Sequence, residues 1–219
     1  MEIQRKSNLG CLMMLVAILT GCLSRPNLAP QSFTFSAPDE GAHFPPTGKT
    51  KDAQKGAQHS NDVLEIKKIT VAAPFAGQSF VYRTGDVSFE QDPYAQFLVS
   101  PEESLAEPLR ECFRKSAKFS AVTEPGSAQR STLSAELTVN ELYGDFRDRA
   151  QPAAVLAIRL VLFDSKSRSV VLEKDYSRRI PLKARTAAAV MAGWNEALEQ
   201  IAGEAVASFR QGGGKLETK

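Results

Sequence analysis

Residues 153–163 read AAVLAIRLVLF, and the fold turns on them. Leu156, Ile158, Leu160 and Leu162 alternate along one side, and Val155, Val161 and Phe163 fall on the other. A period of two marks a strand, and apolar residues on both sides mark an inner strand covered twice. The polar run Asp164-Ser165-Lys166-Ser167-Arg168 suits a hairpin connection. After it, 170–180 returns as a strand, with Val170, Leu172, Tyr176 and Ile180 in phase. Upstream, 132–146 places Leu133, Ala135, Leu137, Val139 and Tyr143 on one face of another long strand.

Outward from this sheet the periodicity changes. In 186–210, Val190, Trp194, Leu198, Ile201, Ala205 and Phe209 recur at three or four residues, the stripe of an amphipathic helix. Leu105, Leu109, Cys112 and Phe113 do the same within 101–118. Shorter strands read at 32–35, 64–73, 79–83, 87–90 and 119–123, with Thr84-Gly85-Asp86 as a turn and Pro125-Gly126 as a stop. Within 64–73 the apolar phase switches from Leu64 and Ile66 to Ile69 and Val71, so a bulge or strong twist is expected. Strands, helix, strands, helix make an α+β domain: a mainly antiparallel sheet with two helices packed on it. The expected body is a single domain over 64–210, with 211–219 a loose tail after Gly212–Gly214.

The N-terminal region follows a different logic. Arg5 and Lys6 precede an apolar run from Leu9 to Leu19, too short for the roughly 20 residues a transmembrane helix needs. A cationic start, apolar middle and small-residue end is the layout of a secretory signal peptide, here 1–21. The end, Leu19-Thr20-Gly21-Cys22, resembles the bacterial lipobox. Cleavage between Gly21 and Cys22 and diacylation of the Cys22 sulfur are expected. Two or three acyl chains on one residue hold a protein at a bilayer far better than one. Leu23 follows the cysteine; an Asp there resembles an inner-membrane retention signal, so the periplasmic face of the outer membrane is favoured. Residues 37–62 hold one large apolar side chain, Phe44, among Pro, Gly, Lys, Gln, Asp and Ser. The expectation is that 22–63 forms a lipidated, flexible tether with an r.m.s. span of about 35 Å.

Charge and chemistry exclude several classes. Removal of 1–21 leaves 25 basic and 24 acidic side chains, which gives no field for nucleic acid. No zinc-finger spacing, phosphate loop or dinucleotide fingerprint is present, so no cofactor or metal is expected beyond the lipid on Cys22. Both histidines, His43 and His59, lie in the tether segment, and Cys112 reads as a small buried hydrophobe. A carboxylate set of Asp86, Glu90 and Asp92 lacks the flanking pattern of a hydrolase. The chain is therefore not expected to be an enzyme.

Two clusters remain as candidate contacts. Tyr82, Arg83, Tyr94 and Phe97 combine residue types enriched at interfaces, which fits a partner-docking or lipid-contacting surface. They equally fit a strand and loop packed on the first helix, with Arg83 paired to Asp86 or Asp92. Arg178, Arg179, Lys183 and Arg185 lead into the last helix. They suit phospholipid headgroups, an acidic partner, or an edge strand protected by charge.

The lipobox, Ser32-Phe33-Thr34-Phe35, Leu64-Glu65-Ile66, Phe80-Val81-Tyr82-Arg83-Thr84-Gly85, Asp92-Pro93-Tyr94-Ala95-Gln96-Phe97-Leu98, the Leu-rich strand pair and the closing helix occur in that order. Together they resemble the ABC-type transport auxiliary lipoproteins, the PqiC-like family, across most of 12–210. The segment 37–62 is longer than is usual there, and Phe97 stands where Trp is more frequent. The resemblance implies a nonenzymatic lipoprotein serving an ABC lipid-transport system. Its partners would be an ATPase, a permease and a protein with mammalian-cell-entry (MCE) domains. A phospholipid contact and a homo-oligomeric ring are compatible with it. Two other readings stay open: an assembly or pilot lipoprotein for another envelope complex, and a carrier holding lipid under the final helix.

Overall fold

The computed structural model describes residues 29–36 and 61–209. The expected signal peptide, Gly21, Cys22, His43, His59 and the tail 211–219 lie outside the described residues.

The spine is β6 (Leu133–Asp145). Along one edge it pairs antiparallel with β7 (Ala153–Asp164) over its whole length, from Leu133 opposite Asp164 to Asp145 opposite Ala153. β7 pairs antiparallel with β8 (Val170–Pro181). The other edge of β6 is shared by two strands. β2 (Val63–Val71) runs parallel to its first half, and β3 (Ser79–Arg83) runs parallel beside Gly144 and Asp145. β5 (Ala121–Thr123) flanks β2. β4 (Phe89–Phe97) flanks β3 antiparallel, and β1 (Gln31–Phe33) lies parallel on β4. Among the described residues the sheet is thus mixed, with eight strands and its longest ladders antiparallel.

Helices α1 (Pro101–Lys115) and α2 (Ala187–Ser208) complete the α+β fold. Ser100 caps α1 by accepting from the Glu103 amide, and Thr186 caps α2 by accepting from the Ala189 amide. Acidic Glu102 and Glu103 sit in the first turn of α1, and basic Arg114 and Lys115 in its last, as the helix dipole favours. α1 ends before the expected 118 because Ala117 takes a left-handed conformation. Gly193 marks the crossing of α2 over β7: a Cβ there would lie 2.6 Å from that of Ala154.

The covered face of β7 is the expected one, with Leu156, Ile158, Leu160 and Leu162 buried under the helices. Its other face is closed only in part. Val155 is buried, Val161 and Phe163 are half-buried, and Arg159 is exposed in ion pairs with Asp175 and Glu173. The bulge expected in β2 lies between Ile66 and Lys68. A second register shift, in β6 between Val139 and Glu141, breaks the alternation read from sequence. Beyond it Leu142, opposite Leu156, joins the helix-covered face, and Tyr143, opposite Val155, turns to the other face. A similar shift at the start of β8 places Val170 opposite Phe163, on the open face and out of phase with Leu172.

The N-terminal boundary of the body also moves. β1 and the residues after it are built into the core. Phe35 is 4% exposed, stacks on Phe97 at 5.8 Å, and donates its amide to the Ser104 hydroxyl. The Ser36 amide donates to Asn195 on α2. The reading of 22–63 as one tether is corrected accordingly: the fold begins at Gln31, because Phe33 and Phe35 have aromatic partners in β3, β4 and α2. Residues 37–60, between β1 and β2 in sequence, lie outside the described residues.

Candidate functional site

The interface candidates lead to one end of the sheet, where β3 turns into β4. The turn closes through the Thr84 and Gly85 amides, which both donate to the Ser88 carbonyl at 3.0 and 3.4 Å. Val87 projects from its tip and is 90% exposed. Among the described residues Arg83 reaches no carboxylate. Its guanidinium donates to the Gly85 and Asp86 carbonyls at 3.3 and 2.6 Å and lies over the rings of Phe89 and Tyr143, at 5.6 and 6.0 Å. Phe75, Phe89 and Tyr143 contact one another with centroids 5.6–6.1 Å apart, so a small aromatic layer braces the hairpin root on the face away from the helices.

Tyr82 lies on the helix-covered face. Its ring stacks on Phe146 at 4.7 Å and its hydroxyl donates to Asp92 Oδ2 at 2.7 Å. Burial first, and then this bond to a carboxylate, hold the phenol above its ordinary pKa, so it stays protonated. Gly144 makes room for the ring: a Cβ there would stand 2.9 Å from Tyr82 Cδ1. The second oxygen of Asp92 accepts the Tyr94 and Ala95 amides. That fixes the bend at Pro93 and leaves Tyr94 47% exposed. β1 covers β4 only at Ala95–Phe97, so the outer edge from Phe89 to Tyr94 has no strand partner among the described residues. Pro93, which has no amide hydrogen to offer, suits such an edge.

At the root of the same end lies Asp145, 1% exposed. Arg147 donates to both its oxygens, from Nε at 3.0 Å and Nη2 at 2.7 Å, and Arg179 adds a third charged donor. The Arg147 hydrogen bonds, against the cost of burial and with help from Arg179, hold the carboxyl well below the usual range. Arg147 also reaches Asp86 in the hairpin at 3.5 Å. Arg185 lies 4.7 Å above Phe146. The hairpin, the β6–β7 loop and the β8–α2 connection are therefore one linked unit.

The structure divides the residues predicted from sequence. Tyr82 and Arg83 sit at the hairpin root, on opposite faces. Arg179 joins them through Asp145, and Tyr94 stands on the open edge. Phe97 is not a surface contact. It is 2% exposed and packed against Phe35, Phe80 and Trp194, because β1 covers that part of β4. Arg178 points the other way from Arg179, to the helix face, where it and Lys174 meet Glu204 of α2 at 2.5 and 3.0 Å. Cys112 is buried, and burial foremost pushes its thiol up to about 12.

Val87, exposed Phe89 and buried Asp145 escaped the sequence reading. The signal for Val87 was an apolar residue inside a turn, between Asp86 and Ser88. A recess of about 200 Å³ lies between β2 and α1, lined by Lys67, Lys68, Glu102, Glu103 and Arg110 among others. It is not under α2, where a carried lipid was considered. Among the described residues, no helix is long and apolar enough to cross a membrane.

Comparison with known proteins gives a family model described as the ABC-type transport auxiliary lipoprotein component, which matches residues 45–206. Nothing among the curated proteins matches. Protein XCC0632 from Xanthomonas campestris superposes with a TM-score of 0.62 at 20% identity, over 72% of this chain and 90% of that one. A second solved structure, of an uncharacterized protein, gives 0.55 at 14% identity, over 69% and 91%. At these identities the likeness shows a shared fold.

Proposed function

We propose, since this chain belongs to the ABC-type transport auxiliary lipoprotein family, that it is a nonenzymatic docking subunit of an ABC lipid-transport system. In this reading Cys22 carries the diacyl anchor, the periplasmic face of the outer membrane holds it, and the folded body engages a protein with MCE domains. The observation that carries the reading is the family match over 45–206. The open edge of β4 supplies a physical means. An edge without a strand partner among the described residues, beside exposed Phe89 and Tyr94, offers backbone donors, acceptors and apolar side chains to an extended segment of a partner.

A photo-crosslinking residue at Tyr94 in the full chain, activated in intact envelopes, tests this. Capture of an MCE-domain protein, lost when the crosslinker is moved to the exposed β7–β8 turn, is the expected result. Capture of a β-barrel or secretion-ring component instead overturns it in favour of the pilot reading.

A further inference from the structure

The direction of β1 adds something the family match does not. β1 runs parallel to β4, with Gln31 opposite Ala95 and Phe33 opposite Phe97. Traced backwards, the chain leaves Gln31 heading along β4 toward Phe89 and the hairpin tip. Nine residue steps separate Cys22 from Gln31, and fully extended they span about 30 Å at most. From Ala95 back to Val87 is eight steps, about 26 Å of strand rise. A stretch of that length is long enough to reach from Gln31 to the depth of the hairpin tip.

The chemistry of that end fits a charged bilayer. Its tip exposes Val87 at 90% and Phe89 at 47%. The three linked segments 83–90, 145–152 and 179–186 carry six cations, Arg83, Arg147, Arg149, Arg179, Lys183 and Arg185, against four carboxylates. Over 22–219 as a whole the balance is nearly even, with 25 Lys and Arg against 24 Asp and Glu. Each of the four carboxylates already has a partner. Asp145 holds Arg147 and Arg179, Asp86 meets Arg147, Glu90 accepts from the Thr84 hydroxyl, and Asp148 accepts from the Ala150 amide. Arg149, Lys183 and Arg185 are exposed around the tip. The opposite end also carries cations, Lys166 and Arg168, but β1 enters away from it.

We propose that the hairpin end is the membrane-facing end of the domain. Val87 lies at the bilayer interface, and Arg149, Lys183 and Arg185 lie among anionic phospholipid headgroups. This rests on the anchored-lipoprotein reading above and fixes the orientation of the body beneath its anchor. Juxtamembrane cations are drawn to anionic headgroups, and an apolar tip prefers the interface to water.

The test uses the full acylated chain in phosphatidylethanolamine–phosphatidylglycerol vesicles containing a nitroxide-headgroup lipid. A fluorophore is attached at Val87→Cys or, as control, at Lys166→Cys in the β7–β8 turn. Buried Cys112 does not compete for the label. The expected result is at least threefold stronger quenching at position 87. In the Arg149→Glu/Lys183→Glu variant that difference falls by at least half, with an unchanged thermal melt. Equal or stronger quenching at 166, with acylation of Cys22 verified by intact mass, overturns the orientation alone. An unmodified Cys22 overturns the anchor and the orientation together. If headgroup charge has no effect and soluble polyglutamate shields position 87, the end belongs to an acidic protein and the proposal fails.

Discussion

Arg178 and Arg179 are adjacent in β8 and live in different environments. Arg178 turns under α2, where packing closes the sheet around Trp194, and its partner Glu204 lies at the margin of that core. Arg179 turns to the face that neither α1 nor α2 covers, where a buried carboxylate, Asp145, gathers the cations. One face is held by apolar area, the other at its hairpin end by charge and a three-ring aromatic layer. The difference teaches that a sheet covered by helices on one side alone can still carry a built site on its other side, provided the polar groups there are fully paired.

The comparison breaks most visibly on the packed face. Phe97→Ala removes a ring that contacts Phe35, Phe80 and Trp194. It should cost about 3–5 kcal/mol in denaturant unfolding, with little change between pH 3 and 7. A loss below about 1 kcal/mol would mean that β1 does not seal the core there.

On the uncovered face the effect is smaller and depends on pH. Asp145→Asn should cost about 2 kcal/mol at pH 7, because two guanidinium groups lose a buried charged acceptor. The folded carboxyl is held below its unfolded value, near 3.9. Its contribution is therefore complete above about pH 4, and falls away as acid titrates the folded group. The variant should approach wild type below about pH 3 in chemical denaturation. A parallel pH dependence in both proteins would show that Asp145 is not the group responsible.

Smaller again is Glu204→Gln. Its carboxyl is held down first by the Lys174 hydrogen bond and then by that of Arg178, but all three side chains are more than a quarter exposed. About 0.5–1 kcal/mol is expected, shrinking in 1 M salt. A loss that salt leaves unchanged would assign Glu204 to packing and blur the contrast between the faces.

How much of this was legible follows from the range over which each feature is determined. The two-sided apolar pattern of 153–163 was enough to place β7 between two neighbours, and the 186–210 stripe gave α2. The face of Tyr143 was not readable, since a single extra residue near Asn140 reverses it and leaves no compositional mark. The short strand read at 87–90 begins at Phe89 and runs on through Pro93 to Phe97, because an edge needs no amide from Pro93. In Asp145-Phe146-Arg147-Asp148-Arg149 two cations stand beside two carboxylates, the local composition of a polar turn. Burial of Asp145 depends on Arg179, 34 residues away, and no local pattern carries that. The clustering of Tyr82, Arg83 and Tyr94 along β3 and β4 was visible, while the core position of Phe97 required β1 to be part of the fold.

The smallest expected effect separates use from structure. Val87→Ser changes a side chain that is 90% exposed and touches neither the core nor the Asp145 group. Its unfolding free energy should stay within about 0.5 kcal/mol of wild type, the ordinary range for a surface position. That outcome leaves the fold independent of Val87, so a loss of vesicle contact in the variant could not be charged to unfolding. A melting temperature lowered by several degrees would instead show that Val87 packs in solution, and the hairpin would have to be counted with the structural end of the comparison.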